Sequence, residues 1–236
     1  MKKLILGLSM LALLASCTAE TKTEVKTEDN TSKVEETDST ENTQEKEVKE
    51  VAELTQENMK FEDYKNFENR AKLIEFFGEE NLENGTSWYG EGTMQYPHTL
   101  VTNPKTGHVV KILWNEADTN TINFIEAHFK IYDKDYQLKG NQNLQTKTGL
   151  SLGMSLKDLV TWNDGEKVEF SGFAWDFHGG VHAAKESKIA MSEFSLTMDY
   201  SGDGMMPEGF AGDVTLSSND KKVMDAPIVL GTITMH

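Results

Sequence analysis

Apolar residues recur at three- and four-residue spacing over positions 63–80, where Tyr64, Phe67, Ala71, Ile74 and Phe77 align along one side of a helix. Gly78 marks its C-terminal stop. Beyond it the period shortens. Runs at 95–102, 109–114 and 122–132 read as strands, and Asn103-Pro104-Lys105-Thr106-Gly107 supplies the turn chemistry that joins the first two into a hairpin. A second cycle opens at Ser155, with Asp158 three residues on and Leu156, Leu159 and Val160 behind it, a capping-box pattern. This short helix should end between Asn163 and Gly165. Strands are then predicted at 168–175, 181–184, 189–200, 214–218 and 228–234, with Phe194, Leu196 and Met198 sharing one face by clear alternation. The order is helix then strands, twice. It predicts an α+β protein, an antiparallel sheet with helices packed on one face. The globular domain falls at 61–236, and its two cycles define halves 61–145 and 146–236, as an old duplication would leave them.

The N-terminus follows another pattern. Lys2 and Lys3 precede an apolar run from Leu4 to Leu14, and the small residues Ala15 and Ser16 lead to Cys17. A charged start, a short apolar middle and a small-residue cleavage site read as a secretory signal over 1–16. The apolar run falls short of the about 20 residues that a membrane-spanning helix needs. Leu14-Ala15-Ser16-Cys17 looks like a lipobox, which implies that the thiol of Cys17 is acylated, the chain cut before it and the new amine acylated. One acyl chain binds membranes only marginally, whereas two or more on one residue make a durable anchor. Cys17 is the single cysteine, so the domain has neither a disulfide nor a cysteine metal site.

Residues 18–60 form the link between anchor and domain. Positions 18–52 hold 11 acidic residues and 5 lysines, with no aromatic, Gly or Pro. Such a stretch cannot bury enough apolar area to offset its ordering entropy, so it is expected to be a disordered acidic tether. A flexible chain of its length has a root-mean-square span on the order of 33 Å. A charged helix from Gln44 to Met59, leading into the domain, is the rival reading of its last part. The formal charge of the whole chain is −16, which argues against nucleic acid, a partner that demands Lys and Arg on phosphates. The partners expected are a membrane, through acylated Cys17, and an envelope protein.

Two segments carry a resemblance. Thr148-Gly149-Leu150-Ser151-Leu152-Gly153-Met154-Ser155-Leu156-Lys157-Asp158-Leu159 is followed by Gly172-Phe173-Ala174-Trp175-Asp176-Phe177-His178-Gly179-Gly180-Val181. This arrangement resembles a family of uncharacterised lipoproteins common in the Bacteroidota, with G-L-x-L-G-x-S-L-x-x-L and G-F-x-W-D-x-x-G-G segments. Phe76-Phe77-Gly78, Val110-Lys111-Ile112-Leu113-Trp114 and Gly212-Asp213-Val214 with Ser218 are similar to other parts of it, so the likeness spans about residues 65–236. The chain departs from it at Asn163-Asp164-Gly165, where Asn-Gly is frequent. The resemblance implies fold and compartment but no activity. Asp38-Ser39-Thr40 is similar to an O-glycosylation acceptor of that phylum, which would place a glycan on Ser39. The chain lacks the Lys-Asp/Glu-Asp/Glu run tied there to surface export, so the expected location is the outer membrane, facing the periplasm.

Candidate chemistry is sparse. Trp175, Asp176 and His178 are the ligand-binding candidates, with Trp175 as a stacking platform. His178 and His182 stand four apart, but Gly179 and Gly180 between them break the helix that a zinc pair would need. Asp199, Ser201 and Asp203, with Gly204, resemble the start of a calcium loop, although its twelfth position is Phe210, where a bidentate Glu is required. Ser218-Asn219-Asp220-Lys221 and the Lys-Thr-Gly triplets at 105–107 and 147–149 are in the wrong order for a penicillin-binding serine enzyme. No phosphate loop or dinucleotide fingerprint occurs. The expectation is therefore a non-catalytic, lipid-anchored binding or interaction domain without a cofactor. An envelope hydrolase acting on glycan or peptide, and a calcium-dependent ligand binder, are the alternatives.

Overall fold

Aromatic side chains enter the core before any regular α-helix forms. The computed structural model describes residues 53–115, 120–174 and 179–236. In it, Phe61–Asn66 is a 3-10 turn, and Lys60 N–H donates to Asp63 Oδ2 at 2.8 Å to start it. The backbone then extends through Phe67, and α1 (Arg70–Phe77) begins only after Asn69, whose side chain accepts from Lys72 N–H. The single helix predicted over 63–80 is therefore two pieces. The physical reason is competition. Asn69 bonds the backbone better as an N-cap than as a mid-helix residue, and the extended turn brings Phe67 against Phe76 and Phe77. Leu73 and Phe77 are buried while Ala71 is exposed, so the buried side of α1 is rotated from the predicted one. Gly78 does stop the helix, at φ 86°, with its N–H on Ile74 O.

The strands are β1 (Leu82–Tyr89), β2 (Met94–Thr102), β3 (Val109–Trp114), β4 (Ile122–His128), β5 (Lys130–Tyr132) and β6 (Leu138–Asn141). After α2 (Leu156–Trp162) come β7 (Glu169–Ser171), β8 (Val181–His182), the single turn α3 (Lys188–Met191), β9 (Phe194–Tyr200), β10 (Thr215–Ser217), the turn α4 (Lys221–Met224) and β11 (Ile228–Met235). Six of them form one sheet in the order β1-β2-β3-β4-β11-β9, with every neighbouring pair antiparallel. The protein is thus α+β and built on antiparallel sheet. Strands from both 61–145 and 146–236 share that sheet. β10-β7-β8 form a second sheet, and β5 and β6 a two-stranded one.

Several expectations hold at residue level. The turn between β2 and β3 closes through Asn103, which is fully buried and accepts from the Lys105 and Thr106 amides while donating to Gln56 O. Ser155 Oγ accepts from Asp158 N–H at 3.1 Å and donates to the Asp158 carboxylate at 2.7 Å, and α2 ends at Asn163. Other expectations need correction. The predicted strand 189–200 begins with α3, because Ser187 caps that turn by accepting from Ala190 N–H. Of the strand predicted over 168–175, only Glu169–Ser171 pairs as a strand among the described residues. β1, unforeseen, is an edge strand in which Asn84-Gly85 interrupts any alternation.

The main sheet has two unlike faces. Register places Val101, Val110, Ile112, Ile125, Ala127, Ile233, Met235, Leu196 and Phe194 on one of them. These residues belong to the core cluster with Phe61, Tyr64, Leu73, Phe77, Leu156 and Leu159. Full burial of one such side chain contributes about 1.5–3 kcal/mol, so this face carries most of the hydrophobic stabilisation. Tyr64 sits deep in it, where burial pushes its phenol up to about 12.

Candidate functional site

The opposite face carries polar and aromatic side chains. Alternation along β1 to β4 and β11 sets Ser87, Tyr89, Tyr96, His98, Lys111, Leu113, Phe124, Glu126, His128, Thr232, Thr234 and His236 there in adjoining rows. Leu113 and Phe124 are buried yet lie outside the main core cluster. They floor a separate layer in which Tyr89, Tyr96 and Phe124 meet edge-to-face at centroid separations of 5.4–5.8 Å, and His236 adds its ring at 5.4 Å from Phe124. Edge-to-face contact suits the ring quadrupoles and holds the cluster in one arrangement.

Glu126 is the centre of this face. It points away from the core, yet only 5% of its surface is exposed. Its Oε1 accepts three hydrogen bonds, from Lys111 Nζ at 2.7 Å, Tyr89 OH at 2.8 Å and His128 Nε2 at 3.1 Å. Among the described residues, no side chain or amide donates to Oε2. Burial alone would raise the Glu126 carboxyl, but the hydrogen bonds and charges of His128 and Lys111 outweigh it and hold the group down to about 2. The carboxylate is therefore charged at every physiological pH, with Oε1 fully engaged. Tyr89 moves the other way. Burial first, then the adjacent Glu126 charge, raise its phenol far above the ordinary value and keep it a donor.

His98 flanks the group. Its Nδ1 lies 2.9 Å from Ser87 Oγ, and burial followed by the Lys111 charge lowers its proton affinity. A β-carbon at position 85 would stand 2.7 Å from the ring, so the missing side chain of Gly85 makes the seat for this imidazole. Two open depressions, of about 480 and 410 Å³, lie elsewhere, beside Phe67 and Phe76 and beside Ile189 and Phe194. Neither touches the Glu126 group. The first is lined by Asn66, Glu68, Lys72 and Glu75 around the two rings, on an open surface, whereas the polar groups of the sheet face converge on one buried carboxylate.

The residues singled out in the sequence fall differently. Trp175, Asp176 and His178 lie outside the described residues, as do Cys17 and Ser39. Phe173, beside the first three, is buried against Phe170 and Tyr200. His182 Nε2 is 2.9 Å from Ser171 Oγ. Asp199 pairs with Lys130 at 2.8 Å, and Ser201 Oγ donates to Pro227 O. Among the described residues no three His, Cys, Asp or Glu side chains gather as a metal group. Sequence reasoning missed the Glu126 group. Its signal was present: Lys111 and Glu126, of opposite charge, each stand between apolar neighbours in a strand. No family model, curated protein or solved structure matches the chain.

Proposed function

We propose that the chain is a lipid-anchored cell-envelope protein, held to a membrane through acylated Cys17, whose domain binds a partner on the Glu126 face of its sheet. One observation carries the proposal. A buried carboxylate, charged at physiological pH, is held by three donors on one oxygen and receives none from the described residues on the other, within a rim of aromatic and imidazole rings. Burying a charge costs several kcal/mol, and a hydrophobic pair of similar volume stabilises a fold at least as well. Such a group is explained better by recognition than by stability. The partner would donate hydrogen bonds to Oε2 and lay an apolar edge on Tyr89 and Tyr96. In this reading the helical segments occupy the other face, since Phe61, Leu73 and Leu156 share the core cluster with Val101, Ile112 and Ile233. The two helix-then-strands cycles are taken as related halves.

The test is selective capture. Acylated protein is cross-linked in its own envelope, alongside Thr234→Arg, which places a long cation on the Glu126 face, and Lys105→Glu in the distant β2–β3 turn. A species lost with Thr234→Arg and retained with Lys105→Glu supports the reading. Equal recovery from all three proteins rejects it.

A second reading has one observation in its favour. Ser87 Oγ and His98 Nδ1 stand at nucleophile–base distance, and the imidazole is biased to its neutral form. It belongs to an envelope hydrolase. Labelling of Ser87 by a serine-reactive phosphonate, abolished by His98→Gln, would favour it.

A further inference from the structure

The β5–β6 hairpin exposes apolar rings that the rest of the fold does not use. Tyr132 is 52% exposed, Tyr136 86% and Leu138 56%. Tyr132 and Leu138 are directly opposed across the two strands, and Tyr136 stands in the turn between them. β5 and β6 pair only with each other, so the hairpin stands apart from both larger sheets.

The turn is not loose. Asp133 organises it, its Oδ1 accepting from the Asp135 and Gln137 amides at 3.0 and 2.9 Å. The Asp133 amide bonds Gln137 O, and the Tyr136 amide bonds Asp133 O, both at 3.0 Å. Tyr136 itself has φ 57°, the left-handed region that disfavours a side chain. The turn thus holds a strained backbone whose visible product is an aromatic ring held out in water. Strain of that kind marks positions where geometry serves something other than stability.

Charge identifies what the hairpin meets. The chain as a whole is strongly acidic, at −16, and would be repelled by an anionic surface. Residues 130–141 carry three lysines against two aspartates, with Lys130 paired to Asp199 and Lys139 3.7 Å from Asp133, so the segment is locally near neutral in an otherwise acidic chain. Lys134 and Lys139 flank the exposed rings. Tyrosine is enriched at the membrane interface, where its ring lies among the acyl chains and its hydroxyl among the headgroups, and lysine reaches to the lipid phosphate beside it. The surface at hand is a bilayer, if Cys17 is acylated, because the tether would keep the domain within a few nanometres of one.

We propose that the β5–β6 hairpin docks on the bilayer that carries the anchor, with Tyr136, Tyr132 and Leu138 entering the headgroup region. The inference rests on the anchored reading of Cys17. A docked hairpin would fix which way the Glu126 face points relative to the bilayer, since both are parts of one folded domain.

The acylated protein tests this, because an introduced cysteine is then its only free thiol. Tyr136→Cys is labelled with an environment-sensitive nitrobenzoxadiazole, reconstituted into vesicles of phosphatidylethanolamine and phosphatidylglycerol, and floated. Gln95→Cys, exposed at the far end of the main sheet, is the control. Flotation reports the anchor, and the label reports the hairpin, so the two failures are separable. The expected result is that both proteins float, that the 136 label shifts to the blue, and that dithionite quenches it about tenfold more slowly than the 95 label, as burial of one ring's worth of apolar surface implies. Equal quenching in floated protein overturns the hairpin proposal and leaves the anchor standing. Protein that does not float overturns the anchor. A second variant, Tyr132→Ser with Leu138→Ser, keeps the turn residues and should restore fast quenching at 136. Slow quenching that persists in pure phosphatidylcholine assigns the docking to the apolar rings, and its loss there assigns it to Lys134 and Lys139. Protection of position 136 by a cross-linked protein rather than by lipid would overturn the proposal.

Discussion

Glu126→Gln tests the network at the centre of the sheet face, and its cost can be worked from the structure. The substitution keeps the shape and one acceptor oxygen but removes the charge that Lys111 and His128 face. The carboxyl falls from an ordinary 4.5 to about 2 on folding. At about 1.36 kcal/mol per unit, charge on this group contributes roughly 3 kcal/mol. The sign follows from linkage. A carboxyl whose folded value is depressed contributes fully above its unfolded value, and the contribution is lost as pH falls from 4.5 through 2. Urea unfolding of the non-acylated Cys17→Ser chain, with and without Glu126→Gln, should show a gap of roughly 3 kcal/mol near neutral pH. That gap should shrink to less than half by about pH 3, since both proteins then approach a neutral side chain. Lys111→Met in the same background should narrow it too, because it removes the lysine cation that Oε1 faces. A gap below about 0.5 kcal/mol at neutral pH, the range of an ordinary surface change, or a gap that stays constant as pH falls, would refute the electrostatic account.

Four further outcomes are expected. Gly179→Ala should cost about 2–4 kcal/mol, because Gly179 has φ 75° and an added β-carbon would fall on the Met198 carbonyl oxygen; a melting temperature within error of the parent would contradict the close approach of that backbone. Asn103→Ala should cost about 2–3 kcal/mol through lost buried hydrogen bonds and speed exchange of the Lys105 and Thr106 amides, which it accepts from; unchanged protection there would show that the turn does not depend on the side chain. Ser155→Ala should cost about 1 kcal/mol and Ser155→Asp much less, a capping signature readable by urea titration. Cys17→Ser should move the protein from the membrane to the soluble fraction with no change in the melting temperature of residues 61–236, and membrane retention would count against the lipobox.

Local chemistry was legible in the sequence wherever one short stretch decided the outcome. Ser155 with Asp158, Gly78, and Asn103 to Gly107 each satisfy their own backbone within a few residues, so pattern and structure agree. The failures occur where two local solutions competed. Periodicity ran a helix through Phe67 to Asn69, but packing of Phe67 on Phe76 and Phe77 rewarded a break. Apolar alternation ran a strand back to Ile189, but the Ser187 cap favoured a helical turn. β1 escaped because an edge strand with one exposed side needs little apolar alternation, and Asn84-Gly85 reads as a turn when taken alone.

The Glu126 group was illegible for a different reason. Its members come from β1, β2, β3 and β4, and only the register of those four strands brings Tyr89, His98, Lys111 and Glu126 into one patch. No motif spans them. What the sequence does show is a pair of violations: a lysine in Val109-Val110-Lys111-Ile112-Leu113-Trp114 and a glutamate in Phe124-Ile125-Glu126-Ala127. Either charge alone, inside a sheet strand, would be expensive. Together at register Lys111↔Glu126 they satisfy each other, although two apolar residues can stabilise such a site as well. Departures from local rules that packing does not repay concentrate at functional surfaces. The same logic applies to Tyr136, whose backbone is left-handed to close the turn on Asp133 O and whose ring stands in water. The two sites share a physical character. Each holds a group that a strand or turn disfavours in isolation, one a buried charge that needs Lys111 beside it and the other an exposed ring. On this argument the sheet face and the hairpin are the two places where the domain meets something outside itself, and a perturbation that stabilises either one in isolation should weaken what it binds.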